Sequence, residues 1–336
     1  MSPLNKPPTI YDVAKRAGVS ITTVSRVLNT PDKVNTETRN RILEAIDALE
    51  FVPKAEARAR ALRQTGRIGV ITPFFTAPSF VQRLRGIAAP LSKANYELVI
   101  YPVDSMEHLH GYISSIPLMR NIDGLIIMSL AIDNKDAERL AGSGIDTVLI
   151  EYSHPKLNSI QIDDAYGGQL AAEHLVKQGH KIVAFLGDIE PSERYAIRPV
   201  KTRLAGFTKA LSKAGIVLGK SYIRSCSYSQ DETKLVTHEL LSLRKPPTAI
   251  FTTSDIQALS VLKVARGMGI KVPDNLAVIG FDDLDMADYA GLTTIRQHLD
   301  ESGRLAAEIL LSRIAGPFLP LQHKHLPLNL IERQTC

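Results

Sequence analysis

Between residues 9 and 29 the apolar side chains recur at helical spacing in two short runs. Ile10, Val13, Ala14 and Ala17 share one helical face, and Val24, Val27 and Leu28 share another. Thr9 followed three residues later by Asp12 reads as a capping box. Gly18 supplies the left-handed residue that ends a helix, and Ser20 can cap the next one. A third helix, from residue 35 or 36 to 49, is striped by Ile42, Ala45, Ile46 and Leu49. From Arg67 onward the period changes. IGVITPFF, YELVIYPV, GLIIMSL, DTVLIEY, KIVAFLG, TAIFTTS and LAVIGFDD are short apolar, β-rich runs, and helical patterns at 79–95, 167–179, 201–215 and 256–269 separate most of them. Unbroken apolar strands alternating with helices imply parallel sheets covered on both faces. About a dozen such units exceed one sheet, so the expected fold is an all-α head followed by an α/β core of two doubly wound parallel-sheet lobes.

The outer face of the second helix carries Ile21, Thr22, Thr23, Ser25, Arg26 and Asn29. Two helices around a tight turn, the second presenting small, hydrogen-bonding and basic groups, suit a major groove. The same spacing also fits a helical hairpin in a core. The string DVAKRAGVSITTVSRVLN, followed by VNTETRNRILEAIDALEFVP, closely resembles the DNA-binding domain of the lactose-repressor/galactose-repressor (LacI/GalR) family of bacterial transcription regulators. The likeness continues along essentially the whole chain. It implies a cytoplasmic homodimer reading a pseudo-palindromic operator in double-stranded DNA. Ile21, Thr22 and Arg26 would face bases. Tyr11, Ser20, Thr23, Ser25 and Asn29 would fix register on phosphates or add base contacts, with Lys33 reaching a phosphate from the loop.

Residues 1–52 are thus expected to form the helix-turn-helix domain, its first eight residues a frayed tail. Residues 53–66 form a hinge helix and linker. Pro53 suits a first helical turn, and KAEARARALR alone reads as a solvated linker helix. The resemblance implies a hinge that orders on operator DNA and wedges a leucine into the minor groove. Here the leucine expected seven residues after the proline is Arg60, and the nearest leucine is Leu62. Either the hinge shifts by two residues, which makes Leu62 the wedge and is the preferred reading, or Arg60 occupies the groove position. Residues 67–336 would be an effector-binding and dimerisation core like periplasmic sugar-binding proteins, with three lobe crossings: lobe one about 67–163 and 292–327, lobe two about 164–291 and 328–336. No leucine heptads follow residue 316, which favours a dimer over a tetramer.

Charge sharpens this division. Residues 1–64 hold 11 Lys/Arg against 7 Asp/Glu, whereas the other 272 hold 29 against 28. The basic excess lies in the head, as a nucleic-acid binder requires. No apolar run approaches membrane-spanning length, and the N-terminus lacks an apolar export segment, so neither membrane insertion nor export is expected. Two distant cysteines, Cys226 and Cys336, make a structural disulfide or metal cage improbable and fit a reducing cytoplasm.

In open parallel sheets, ligands bind beyond the carboxyl ends of strands. The residues just after the apolar runs are Phe74, Phe75, Thr76 and Ser79; Ser129; Glu151 and Tyr152; Ser254 and Asp255; Asp282 and Asp283; and Gln297. Carboxylates, amides and aromatic faces suit a polyhydroxylated small molecule, although each acidic residue can equally cap the following helix. By the resemblance, Arg203 and Asp282 bind effector. Glu151 stands for a usual aspartate and Ser254 for a usual asparagine. Gln297 lies at a lobe crossing, and Phe75 and Phe80 line the pocket or merely pack. A carbohydrate is the expected effector, with a nucleobase as the lesser alternative. No HExxH, GxSxG, GxxxxGK or strand-linked GxGxxG is present, so catalysis, cofactor and metal are not expected. HLH at 108–110 and HKH at 323–325 read as surface or edge-strand residues. The competing reading from another class is a sugar-binding receptor with an incidental helical head, against which the head's charge argues.

Overall fold

The computed structural model describes residues 8–29, 33–51, 64–189, 195–227, 229–316 and 319–336. The chain divides into two compact units, residues 1–66 and 67–336. The head contains α1 (Ile10–Ala17), α2 (Ile21–Asn29) and α3 (Thr36–Ala48). The Asp12 carboxylate accepts from the Thr9 N–H at 2.8 Å and from its hydroxyl at 2.7 Å. At the other end of α1, Gly18 has φ +64°, and the next N–H, of Val19, donates to the Ala14 carbonyl at 3.0 Å. Ser20 Oγ and Asn35 Oδ1 then accept from the N–H groups of Thr23 and Thr38. The three helices close on Val13, Ala14, Ala17, Val24, Val27, Ile42 and Ala45. So small an apolar interior leaves modest stability.

The larger unit opens with β1 (Arg67–Thr72), α4 (Pro78–Lys93), β2 (Glu97–Pro102), α5 (Met106–Met119), β3 (Gly124–Met128), α6 (Asn134–Gly142), β4 (Asp146–Ile150) and β5 (Asn158–Gln161). It crosses into a second lobe of α7 (Asp164–Lys177), β6 (Val183–Gly187), α8 (Val200–Lys213), β7 (Ile223–Ser225), α9 (Gln230–Leu241), β8 (Ala249–Thr252), α10 (Asp255–Gly267), β9 (Ala277–Asp282), α11 (Asp285–Tyr289) and β10 (Thr293–Arg296). The chain returns to the first lobe as α12 (Leu299–Ala315) and β11 (His323–His325), and ends in the second as β12 (Asn329–Ile331). Two six-stranded sheets result, ordered β11-β5-β4-β3-β1-β2 and β12-β10-β9-β8-β6-β7. Every pairing is parallel except β10 with β12.

The third lobe crossing lies later than residue 292. Residues 293–296 pair with β9 in the second sheet, where Thr294 Oγ1 donates to the buried Asp255 carboxylate at 2.5 Å and the Thr293 N–H to Thr335 Oγ1 at 2.9 Å. These buried polar groups find their partners in the second lobe, at the start of α10 and beyond β12, so the chain changes lobes at 297–298. HKH at 323–325 is the exposed edge strand β11, with His323 Nδ1 2.9 Å from Ser159 Oγ. No helix among the described residues is long and apolar enough to cross a membrane.

Each lobe contains one pair of helices in backbone contact. A Cβ on Gly86 of α4 would collide with the Asp300 carbonyl, and one on Gly303 of α12 with the Arg83 carbonyl. In the second lobe a Cβ on Gly168 of α7 would collide with the Arg203 carbonyl, and one on Gly206 of α8 with the Ala165 carbonyl. The missing side chains let these helices lie closer than interdigitated side chains would allow. They also fix the backbones that carry Arg83 and Arg203, both nearly fully buried.

Candidate functional site

In both sheets the first strand lies between the second and third (β2-β1-β3 and β7-β6-β8), so consecutive connections leave in opposite directions and open a crevice at the strand ends. The two crevices share a cavity of about 540 Å³. Around it the backbone is strained. Phe74, Ser129, Glu151, Asp282 and Asp283 have φ of 43°, 54°, 66°, 121° and 57°. Such conformations cost roughly 1–3 kcal/mol each outside glycine and persist where the surroundings dictate them. At the first four positions they aim side chains from strand tips into the space between the lobes, whereas the Asp283 carboxylate turns away to pair with Arg296 and Arg333.

Three ion pairs frame the site. Arg83, on α4, donates to Glu151 Oε1 at 2.7 Å and to Ser302 Oγ at 3.0 Å, while the Ser129 hydroxyl donates to the other Glu151 oxygen. Arg203, on α8, donates to Asp164 Oδ1 at 2.8 Å and to the Thr253 carbonyl at 2.9 Å, its guanidinium 3.5 Å from the Phe281 ring centroid. Arg198 pairs with Asp188 and lies 4.9 Å from the centroid of Phe74. The Gln297 amide donates to Asp282 Oδ1, and its own buried Oε1 finds no donor among the described residues.

The electrostatics separate the carboxylates. Burial opposes ionisation of Glu151, but the Arg83 charge and the hydrogen bonds from Ser129 and Arg83 outweigh it and hold the group below the ordinary range. Asp282 is different: burial pushes it up to about 7 despite the Arg203 charge and the Gln297 amide. A carboxyl raised on folding favours the native state below its unfolded value of about 3.9, and that contribution is lost as pH rises through the folded value. Asp282→Asn should therefore melt higher than the native sequence at neutral pH, by a margin that widens between about pH 4 and 7 and levels off above. Thermal melts across that range check it, and a margin independent of pH would contradict the assignment.

Of the residues singled out in the sequence, Phe74, Ser79, Phe80, Ser129, Glu151, Arg203, Asp282 and Gln297 line this cavity. Phe75 does not. Left-handed Phe74 turns its own ring inward and leaves Phe75 39% exposed. Ser254 does not line it either, because its hydroxyl caps α10 by accepting from the Gln257 N–H at 3.2 Å; the neighbouring Thr253 reaches the cavity instead. Arg83, Asp188 and Arg198 were missed. Arg83 had a signal: it stands four and eight residues before Ile87 and Leu91, in line with the buried stripe of α4. On the head, Tyr11 is 68% and Ile21 39% exposed, Ser20, Thr22, Arg26 and Lys33 are exposed, and Thr23 and Ser25 are half-buried. Asn29 is the last residue of α2. Arg60 and Leu62 lie outside the described residues.

Residues 9–54 match the model of bacterial regulatory proteins of the lacI family, and residues 172–336 match a periplasmic binding protein-like domain. The transcriptional regulator DegA of Bacillus subtilis is 33% identical over 96% of this chain and 99% of its own length. The chain belongs to the lacI family. Among solved structures, the lac repressor dimer bound to operator and the anti-inducer ONPF superposes with a TM-score of 0.80 at 28% identity, covering 98% of this chain and 99% of that one. The cellobiose complex of the regulator CelR superposes at 0.69 with 26% identity, covering 98% and 100%. This lacI-family chain is a DNA-binding transcriptional regulator whose core binds an effector. The head match sets aside the reading as a receptor with an incidental helical head.

Proposed function

We propose that the protein is an operator-specific repressor acting as a homodimer, and that its effector is a neutral carbohydrate held between the lobes. The observation that carries the ligand class is charge balance. Arg83, Arg198 and Arg203 each have a carboxylate partner, in Glu151, Asp188 and Asp164, so each guanidinium charge around the cavity is already balanced within the protein rather than by an anionic ligand. What remains around the cavity is hydroxyl, amide and carboxylate groups that exchange hydrogen bonds with sugar hydroxyls, with the Phe74 and Phe80 rings to pack on C–H faces. The buried Gln297 Oε1 calls for a donor, which a ligand hydroxyl supplies. The solved relative with cellobiose supports the same class. Operator binding titrated with a panel of sugars and nucleobases tests it. A response to a nucleobase and to no sugar would replace this reading.

On DNA, Ile21, Thr22 and Arg26 face base edges, while Tyr11, Ser20, Thr23, Ser25, Asn29 and Lys33 set the register, with Leu62 as the minor-groove wedge. Arg26→Ala should weaken operator binding by about 1–3 kcal/mol, read as fluorescence anisotropy at fixed salt. Unchanged operator affinity in that variant would sink the role given to Arg26. Effector binding changes the separation of the two hinge segments, for which a coupling of only ~1–3 kcal/mol is sufficient.

A further inference from the structure

The cavity is unequal in its two walls. On the first lobe its lining comes from the tips of three strands, β1, β3 and β4, through Phe74, Ser129 and Glu151, and from the first turns of α4, through Phe80 and Arg83. On the second it runs over five adjacent strands, from Gln297 after β10 through Asp282, Thr253 and Asp188 to Ser225 at the end of the edge strand β7. Neighbouring strands lie about 4.8 Å apart, so this wall is roughly 19 Å long, several times the width of one sugar ring. The two ends also differ. At the β9–β10 end, Asp282 and Gln297 are buried, and Arg203 from α8 is buried close enough to Asp282 to act on its charge. At the β7 end, Ser225 and Glu232 are exposed and Ser227 half-buried, which makes it the mouth.

The mouth is organised. The Ser227 N–H donates to Glu232 Oε2 at 3.1 Å, its hydroxyl donates to the same oxygen, and Ser225 Oγ accepts from the Ile189 N–H at 3.2 Å. From these groups we infer that the cavity takes a two-ring ligand, a neutral disaccharide or glycoside. One ring sits among Arg203, Asp282 and Gln297, and the other against Ser225, Ser227 and Glu232. Serine hydroxyls both donate and accept, and a carboxylate accepts from two sugar hydroxyls. The Glu232 charge at the mouth, with Arg198 already paired to Asp188, disfavours a phosphate on the outer ring and so selects against phosphorylated sugars and nucleotides.

This inference rests on the carbohydrate reading above, and one experiment separates their failures. Calorimetric titration of the full-length protein would compare α- and β-linked disaccharides with their component monosaccharides, alongside nucleobases. The expected result is a disaccharide at least about tenfold tighter than either component, a ratio that collapses toward unity in Glu232→Ala and in Ser225→Ala. The ratio is internal to each variant, so a general loss of folding does not imitate its collapse. A monosaccharide binding as tightly as every disaccharide containing it would overturn the two-ring site and leave the carbohydrate reading standing. A disaccharide advantage unaltered in both variants would place the second ring elsewhere and also overturn it. Binding of a nucleobase alone, or of no sugar in the panel, would remove both.

Discussion

Arg203→Met should give a repressor that holds its operator and no longer answers its effector. The guanidinium is buried, forked between Asp164 and the Thr253 carbonyl and stacked on Phe281, so it presents a preorganised donor face at the inner end of the cavity. Losing charge-assisted hydrogen bonds of this kind costs about 1.5–3 kcal/mol, or roughly 10- to 100-fold in effector affinity. The complication is stability. Removing one member of a buried ion pair strands the other, at about 3–5 kcal/mol, and burial already pushes Asp164 up against the Arg203 charge. The double variant Arg203→Met/Asp164→Asn removes the stranded carboxylate and should recover most of the melting temperature without recovering effector binding. Recovery of both would mean that Arg203 matters only to folding.

The second large effect concerns packing. Gly206→Ala ordinarily gains in a helix interior, because alanine is the better helix former by about 1 kcal/mol. In α8 the added methyl meets the Ala165 carbonyl of α7, a backbone atom that no rotamer change can move aside. Overpacking costs typically 1–3 kcal/mol, and a backbone collision belongs at or beyond the top of that range. A loss of about 3 kcal/mol in a core of this size lowers the melting temperature by roughly 6–12 °C. Arg203 lies one helical turn before Gly206, so displacement of α8 should also weaken effector binding. Gly111→Ala is the control: it lies within α5 with nothing near the new methyl, and should be neutral or stabilising by about 0.5–1 kcal/mol. Equal melting temperatures for the two variants would disprove the close approach.

Much of this architecture could be read from the residues. The capping box at Thr9 and the glycine at position 18 fixed the first head helix within a residue, and the apolar runs located the central strands. The strands that escaped notice, β5, β7 and β12, are three or four residues long and lie at or next to sheet edges, where polar or half-exposed positions leave no apolar run. In β10 two of the three buried positions are threonines bonded to Asp255 and Thr335, with Ile295 the third, and hydrophobic patterning does not register so short an apolar signal. At the cavity, the strand-tip rule found Phe74, Ser79, Ser129, Glu151, Asp282 and Gln297 because topology alone places them. Choosing Phe75 over Phe74, and Ser254 over Thr253, was off by one residue, because a left-handed backbone or a helix cap decides which of two neighbours points inward. The Asp188–Arg198 pair joins residues ten apart between β6 and α8, a spacing that no local pattern encodes.

The left-handed residues at the strand tips carry a genetic consequence. Glycine at 129 would relax the backbone there at the cost of one hydroxyl, whereas glycine at 151 or 282 would also strand the buried Arg83 guanidinium or the Gln297 amide, which outweighs the relief. The change at 129 deletes a hydroxyl that faces the cavity, while the DNA-reading head is untouched. Selection of this regulator for heat resistance alone should therefore accumulate Ser129→Gly alleles that keep their grip on DNA while answering the effector less well.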